Sequence, residues 1–136
     1  MAGSEEQILE VQQGVAMTLH ALGGHWREDG LQMHRSVYYE SLNLLGEENR
    51  HTLIEANNYA MNLLDLRRFE EVKPFLRKML PVAQRVLTDS HLITLKMRCC
   101  LAMVLHDSAS ATLDDFREAV TTLEDVGRIA RRVLGG

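Results

Sequence analysis

"RVLTDSHLITL", residues 85–95, reads as a second copy of "NLLGEENRHTL", residues 43–53. Each runs from an apolar, helix-like end through a short polar break into a Thr-Leu pair. Leu45 pairs with Leu87, Thr52 with Thr94 and Leu53 with Leu95, at an offset of 42 in every case. A separation that holds across three landmarks indicates a tandem repeat in which each unit is one supersecondary element. A chain of 136 residues has room for three such units.

The stretch between the two copies has helical period. In "HTLIEANNYAMNLLDL" the apolar residues Leu53, Ala56, Ala60, Leu63 and Leu64 fall three or four apart, and no run alternates long enough to make a strand. Polar breaks at 23–25, 46–51, 66–68, 88–91 and 107–112 delimit six helices, expected over 5–22, 28–45, 51–65, 69–87, 92–106 and 113–134. Taken in pairs these give repeats 5–45, 51–87 and 92–134 within a single domain, 1–136. Ser90 is the expected N-cap of the fifth helix and Thr112 or Asp114 that of the sixth, whose first turns are acidic.

The register survives superposition. Ala60 aligns with Ala102, and "RFEEV" (68–72) aligns with "DFREA" (115–119) once five extra residues are placed in the turn "HDSASAT". Phe69 then stands as far before Leu87 as Phe116 stands before Leu134. The first pair either caps the array or has drifted, with Gly30 at the small-residue position held by Val72 and Ala119.

Composition narrows the function classes. Hydrophobic residues at 46% and charged residues at 25% are those of a globular chain. No apolar run is long enough to span a bilayer, and "MAGSEEQ" has neither the basic nor the apolar region of a signal peptide. No membrane insertion is therefore expected, and a cytoplasmic location is. A net charge of -4 argues against non-specific attraction to nucleic acid. Cys99 and Cys100 are adjacent in a helix and point apart, so they read as reduced thiols.

On these residues the chain resembles a known family. "HTLIEANNYAMNLLDLRRFEEVKPFLRKMLPVAQRVL" (51–87) is similar to the tetratricopeptide repeat of kinesin light chains, whose period equals the offset found here. The similarity runs through Thr52, Leu53, Asn57, Asn58, Ala60, Leu64, the run Arg68–Phe69–Glu70–Glu71, Pro74, Leu76 and Leu87. Arg67 stands where that pattern has a turn glycine, Val72 where it has a small alanine, and "RCCLA" (98–102) where it has Asn-Asn-Leu-Ala. "RRVLGG" (131–136) stands where the pattern runs on into another repeat, so a shortened array or a fragment is expected.

The resemblance implies an all-α, right-handed solenoid of about three antiparallel helix pairs. Its concave groove, lined by the first helix of each pair, would bind a peptide of a partner protein without catalysis. In related arrays an Asn eleven residues before the aromatic of the pair holds the peptide backbone; here that residue is Asn58, eleven before Phe69, and its counterpart in the third repeat is Cys100. Lys96 falls at a position that is basic in carboxylate-binding relatives, and only part of that clamp is present. Asn62 and Arg98 complete the candidate peptide contacts.

The remaining features read more plainly. Arg67, Arg68, Lys73, Arg77, Lys78 and Arg85 suggest a solvated basic face balanced by Glu70 and Glu71. His20, His25, His34, His51, His91 and His106 lack metal-ligand spacing and read as surface or turn residues, so no metal or other cofactor is expected. Met61, Met79, Met97 and Met103 suit a core, and methionine on an open face would suit a tolerant peptide site. No catalytic constellation is visible, and the chain is expected not to be an enzyme. The expected role is a protein-binding adaptor or scaffold. The alternative is a structural subunit of a larger assembly, self-associating or docking through uncapped repeat ends.

Overall fold

The computed structural model describes residues 2–24 and 26–134, and among them every regular element is an α-helix. The six are α1 (Ala2–Leu22), α2 (Trp26–Leu45), α3 (Arg50–Asp65), α4 (Phe69–Leu87), α5 (Leu92–Asp107) and α6 (Leu113–Leu134). Helices α3 and α5 are each 16 residues long, and their first residues, Arg50 and Leu92, are equivalent under the repeat. The expected spans agree closely, although α1 begins three residues and α2 two residues earlier, and α4 continues through both Pro74 and Pro81. His25 lies outside the described residues.

The chain divides into two compact units, Met1–Leu66 and Arg67–Gly136, where the sequence suggested one domain of three helix pairs. The boundary falls inside the expected repeat 51–87, in the turn after α3.

In the first unit α2 packs against both α1 and α3. Gly30 lets α2 approach α1 closely, since a Cβ there would meet the His20 backbone nitrogen at 3.0 Å and the Ala16 carbonyl oxygen at 3.3 Å. That contact accounts for the small-residue requirement at this position. Across α2 and α3 the Thr52 hydroxyl donates to the Ser41 carbonyl at 3.2 Å, and the Tyr38 and Tyr59 rings stack at 6.1 Å. Ser41 pairs with Thr52 and Tyr38 with Tyr59, so the two helices run antiparallel.

In the second unit α5 packs against α4 and α6. The Thr94 hydroxyl donates to the Ala83 carbonyl at 3.4 Å, the same bond as Thr52 to Ser41 moved along by one repeat. Leu95, Val126 and Ile129 form an apolar cluster with Cys99 against it. The basic residues of α4 are balanced differently from the sequence expectation. Arg77 donates twice to the Glu118 carboxylate, at 2.6 and 2.8 Å, and Lys73 lies 4.0 Å from Asp115, so these cations link α4 to α6. Pairs this exposed are worth about 0.2–1 kcal/mol each.

The caps and turns repeat as well. Asn49 accepts from the His51 backbone at the start of α3, and its repeat equivalent His91 accepts from the Ile93 backbone at the start of α5. His91, not Ser90, is therefore the cap: its ring Nδ1 reaches the amide two residues ahead. Thr112 caps α6 reciprocally with Asp115, each side chain accepting from the other's backbone amide. Gly46 (φ 89°) and its equivalent Thr88 (φ 84°) share a positive φ that suits glycine and strains a β-branched residue. Arg67 (φ 58°) is strained in the same way, at the position where the resembled pattern has glycine.

We expect Thr88→Gly to stabilise the fold by about 1 kcal/mol and Gly46→Thr to destabilise it by at least as much, measured by urea unfolding. Equal stability of all three proteins would show that these turns carry no strain.

Candidate functional site

A buried helix that leaves one stripe of its surface open can offer that stripe to a partner. On α3 the open stripe runs through Ile54, Asn58, Met61 and Asp65, spaced four, three and four residues apart. On α5 it runs through Leu92, Lys96, Cys99 and Met103. Met61 and Met103 are equivalent under the repeat and are 40% and 48% exposed, whereas Met79 and Met97 are fully buried. Two of the four methionines expected in the core thus face outward instead.

The five sequence candidates divide. Asn58 is half-buried on the α3 stripe, and Lys96 is exposed on the α5 stripe with no ion pair among the described residues. Asn62 and Cys100 are buried, so neither presents a side chain to solvent. Arg98 is committed within its own unit by a 2.6 Å ion pair to Asp125. The thiol nearer the open stripe is Cys99, half-buried against the Leu95 cluster, because a one-residue step turns a helix side chain by about 100°. Burial raises the Cys99 pKa and Arg98 only partly offsets it, the opposite of an activated nucleophile.

The sequence reading missed a buried polar set in the first unit. Glu55 is fully buried, and neither of its carboxyl oxygens has a hydrogen-bond partner. Asn62 is buried with both amide atoms unpartnered, and the His34 Nδ1 and Ser41 Oγ are in the same state. His34 was expected at the surface; it lies inside α2 and is 3% exposed. The repeat offset was the signal that could have found Glu55 and Asn62. Their counterparts one repeat on are Met97 and Val104, both fully buried and apolar.

Burial sets the protonation of this set. Desolvation raises the Glu55 pKa to about 7, with the Asn58 side chain offsetting part of the shift. Desolvation, then the nearby His20, lowers that of His34 to about 4. His20 itself reaches Asp65 through Nε2 at 2.8 Å.

Compared with protein-family models, curated proteins and solved structures, the chain matches none. Its class is therefore defined by its own geometry: an all-α chain with an internal structural repeat. Among the described residues no helix is long and apolar enough to cross a membrane, and no group of three or more His, Cys, Asp or Glu is placed to hold a metal ion.

The two buried titrating groups oppose each other. Folding keeps Glu55 protonated up to about pH 7 rather than 4.5, so its contribution is full below pH 4.5 and is lost as pH rises to about 7. The His34 contribution is full above pH 6.5 and is lost as pH falls to about 4. Glu55→Gln removes one slope, and we expect it to stabilise the fold by roughly 3 kcal/mol at pH 8 and not at all at pH 4. Urea unfolding at both pH values measures this, and an equal effect at both would show that Glu55 does not titrate as described.

Proposed function

We propose that this chain is a non-enzymatic protein-interaction module of the tetratricopeptide kind, an α-solenoid that holds a partner peptide in its concave groove. The observation that carries the reading is that α3 in the first unit and α5 in the second each leave a stripe open, sharing the repeat-equivalent positions Ile54/Lys96 and Met61/Met103 and combining an exposed methionine with a polar group. Methionine gives adaptable apolar contact, while an amide supplies both a donor and an acceptor to a peptide backbone. Asn58 takes the backbone role on α3, and Lys96 on α5 selects peptides that carry a carboxylate. Arg67 supports the family resemblance, since its positive φ lies where the pattern has glycine. The raised Cys99 pKa argues against thiol catalysis. Two cysteines held as thiols fit a reducing compartment such as the cytoplasm.

The test is a peptide array probed with the wild-type chain, followed by titration of the selected peptides. Asn58→Ala and Lys96→Glu are each expected to weaken binding about tenfold, roughly 1.4 kcal/mol. Lys78→Ala, exposed on α4, serves as the control and leaves binding unchanged. Selected peptides that bind all four proteins equally would eliminate this site.

A further inference from the structure

Among the described residues, two helices carry an apolar face that stays largely exposed, with Phe116 alone in edge contact with the His106 ring. On α1, Ile8, Val11, Val15 and Leu22 lie along one side and are 44–68% exposed. On α6, Phe116, Val120 and Leu123 do the same at 39–55%. Each face includes residues whose counterparts elsewhere in the repeat are covered, Leu123 on α6 and Ile8 and Val15 on α1, and those counterparts point to what would cover it.

Aligning α6 with α4 through Phe116 on Phe69 places Leu123 and Ala130 on Leu76 and Ala83. Leu76 and Ala83 lie two helical turns apart on one face and are fully buried, and the Ala83 carbonyl accepts the Thr94 hydroxyl of α5. The bare side of α6 therefore corresponds to the side that α4 turns to the helix after it.

For α1, aligning Leu9 with Leu53 also places Ala16 on Ala60, and all four are buried. The same alignment places Ile8 and Val15 on Thr52 and Tyr59. Those two are buried against α2 through the Ser41 carbonyl and the Tyr38 ring. The bare side of α1 is thus the side that α3 turns to the helix before it.

We propose that these faces cover each other between two copies of the chain, with α6 of one molecule packing antiparallel on α1 of the next. The contact repeats the one α2 makes with α3 and α4 with α5. Charge favours the same arrangement. An antiparallel approach brings Arg131, Arg132 and Arg128, the last also paired with Asp125, to the α1 end that carries Glu5, Glu6 and Glu10. A parallel approach would set Asp114 and Asp115 against those glutamates. The contact joins two different surfaces, so each added molecule leaves one α1 face and one α6 face open, and association continues head to tail. It is independent of the peptide reading, because it uses neither open stripe.

Sedimentation velocity from low micromolar to near-millimolar concentration tests it. The wild-type chain is expected to rise in mass above its 15.4 kDa monomer as concentration increases. Leu123→Glu, on exposed α6 surface, and Val15→Glu, on exposed α1 surface, are each expected to stay monomeric, with unchanged helix content by circular dichroism. Mixed together they are expected to form a complex of two chains and no larger, because each variant keeps the one face that the other lacks. A wild-type chain that remains monomeric overturns the proposal. So does a single variant that still self-associates, or a mixture that does not combine.

Discussion

One clasp recurs in this chain, and the rest of the structure is arranged around it. A threonine in the first turn of a helix donates its hydroxyl to a carbonyl eleven residues back, near the end of the preceding helix. Thr52 does so to Ser41, and Thr94 to Ala83. Both hydroxyls are fully buried, and a buried hydroxyl needs a partner. Meeting that need sets how one helix crosses into the next. The positive-φ residue at 46 or 88 and the side-chain cap at 49 or 91 bring the chain around to it. A bond worth about 1 kcal/mol acts here less through its strength than through the single register that satisfies it.

The repeat is regular in its backbone and irregular in what it buries. Glu55 and Asn62 occupy places that Met97 and Val104 fill with apolar atoms. Each polar atom left without a partner there costs free energy that the apolar counterpart does not. His34, on the helix facing α3, is also buried, and its titration opposes that of Glu55. The first unit is therefore the part of the chain in which pH acts on the core, while the ionic contacts of the second unit, Arg77 with Glu118 and Arg98 with Asp125, lie nearer its surface.

Open surface falls in two kinds of place. The stripes on α3 and α5 mix methionine with polar groups and suit transient contact with a peptide. The faces of α1 and α6 are apolar along one side and suit a helix. Within each unit the middle helix, α2 or α5, packs against two others, and the flanking helices each pack against one.

The six helices and the repeat period were legible in the sequence, because apolar spacing and turn residues are local and their pattern recurs. The Thr-Leu pairs were legible for that reason. Which way Cys99, Met61 and Met103 face, the burial of Glu55, His34 and Asn62, and the capture of Arg98 by Asp125 were decided only by the tertiary structure. Each depends on which neighbouring helix lies against a given side, over distances that no local pattern encodes. A glutamate surrounded by helix-forming residues looks like surface in any window of sequence, and only packing removes it from water.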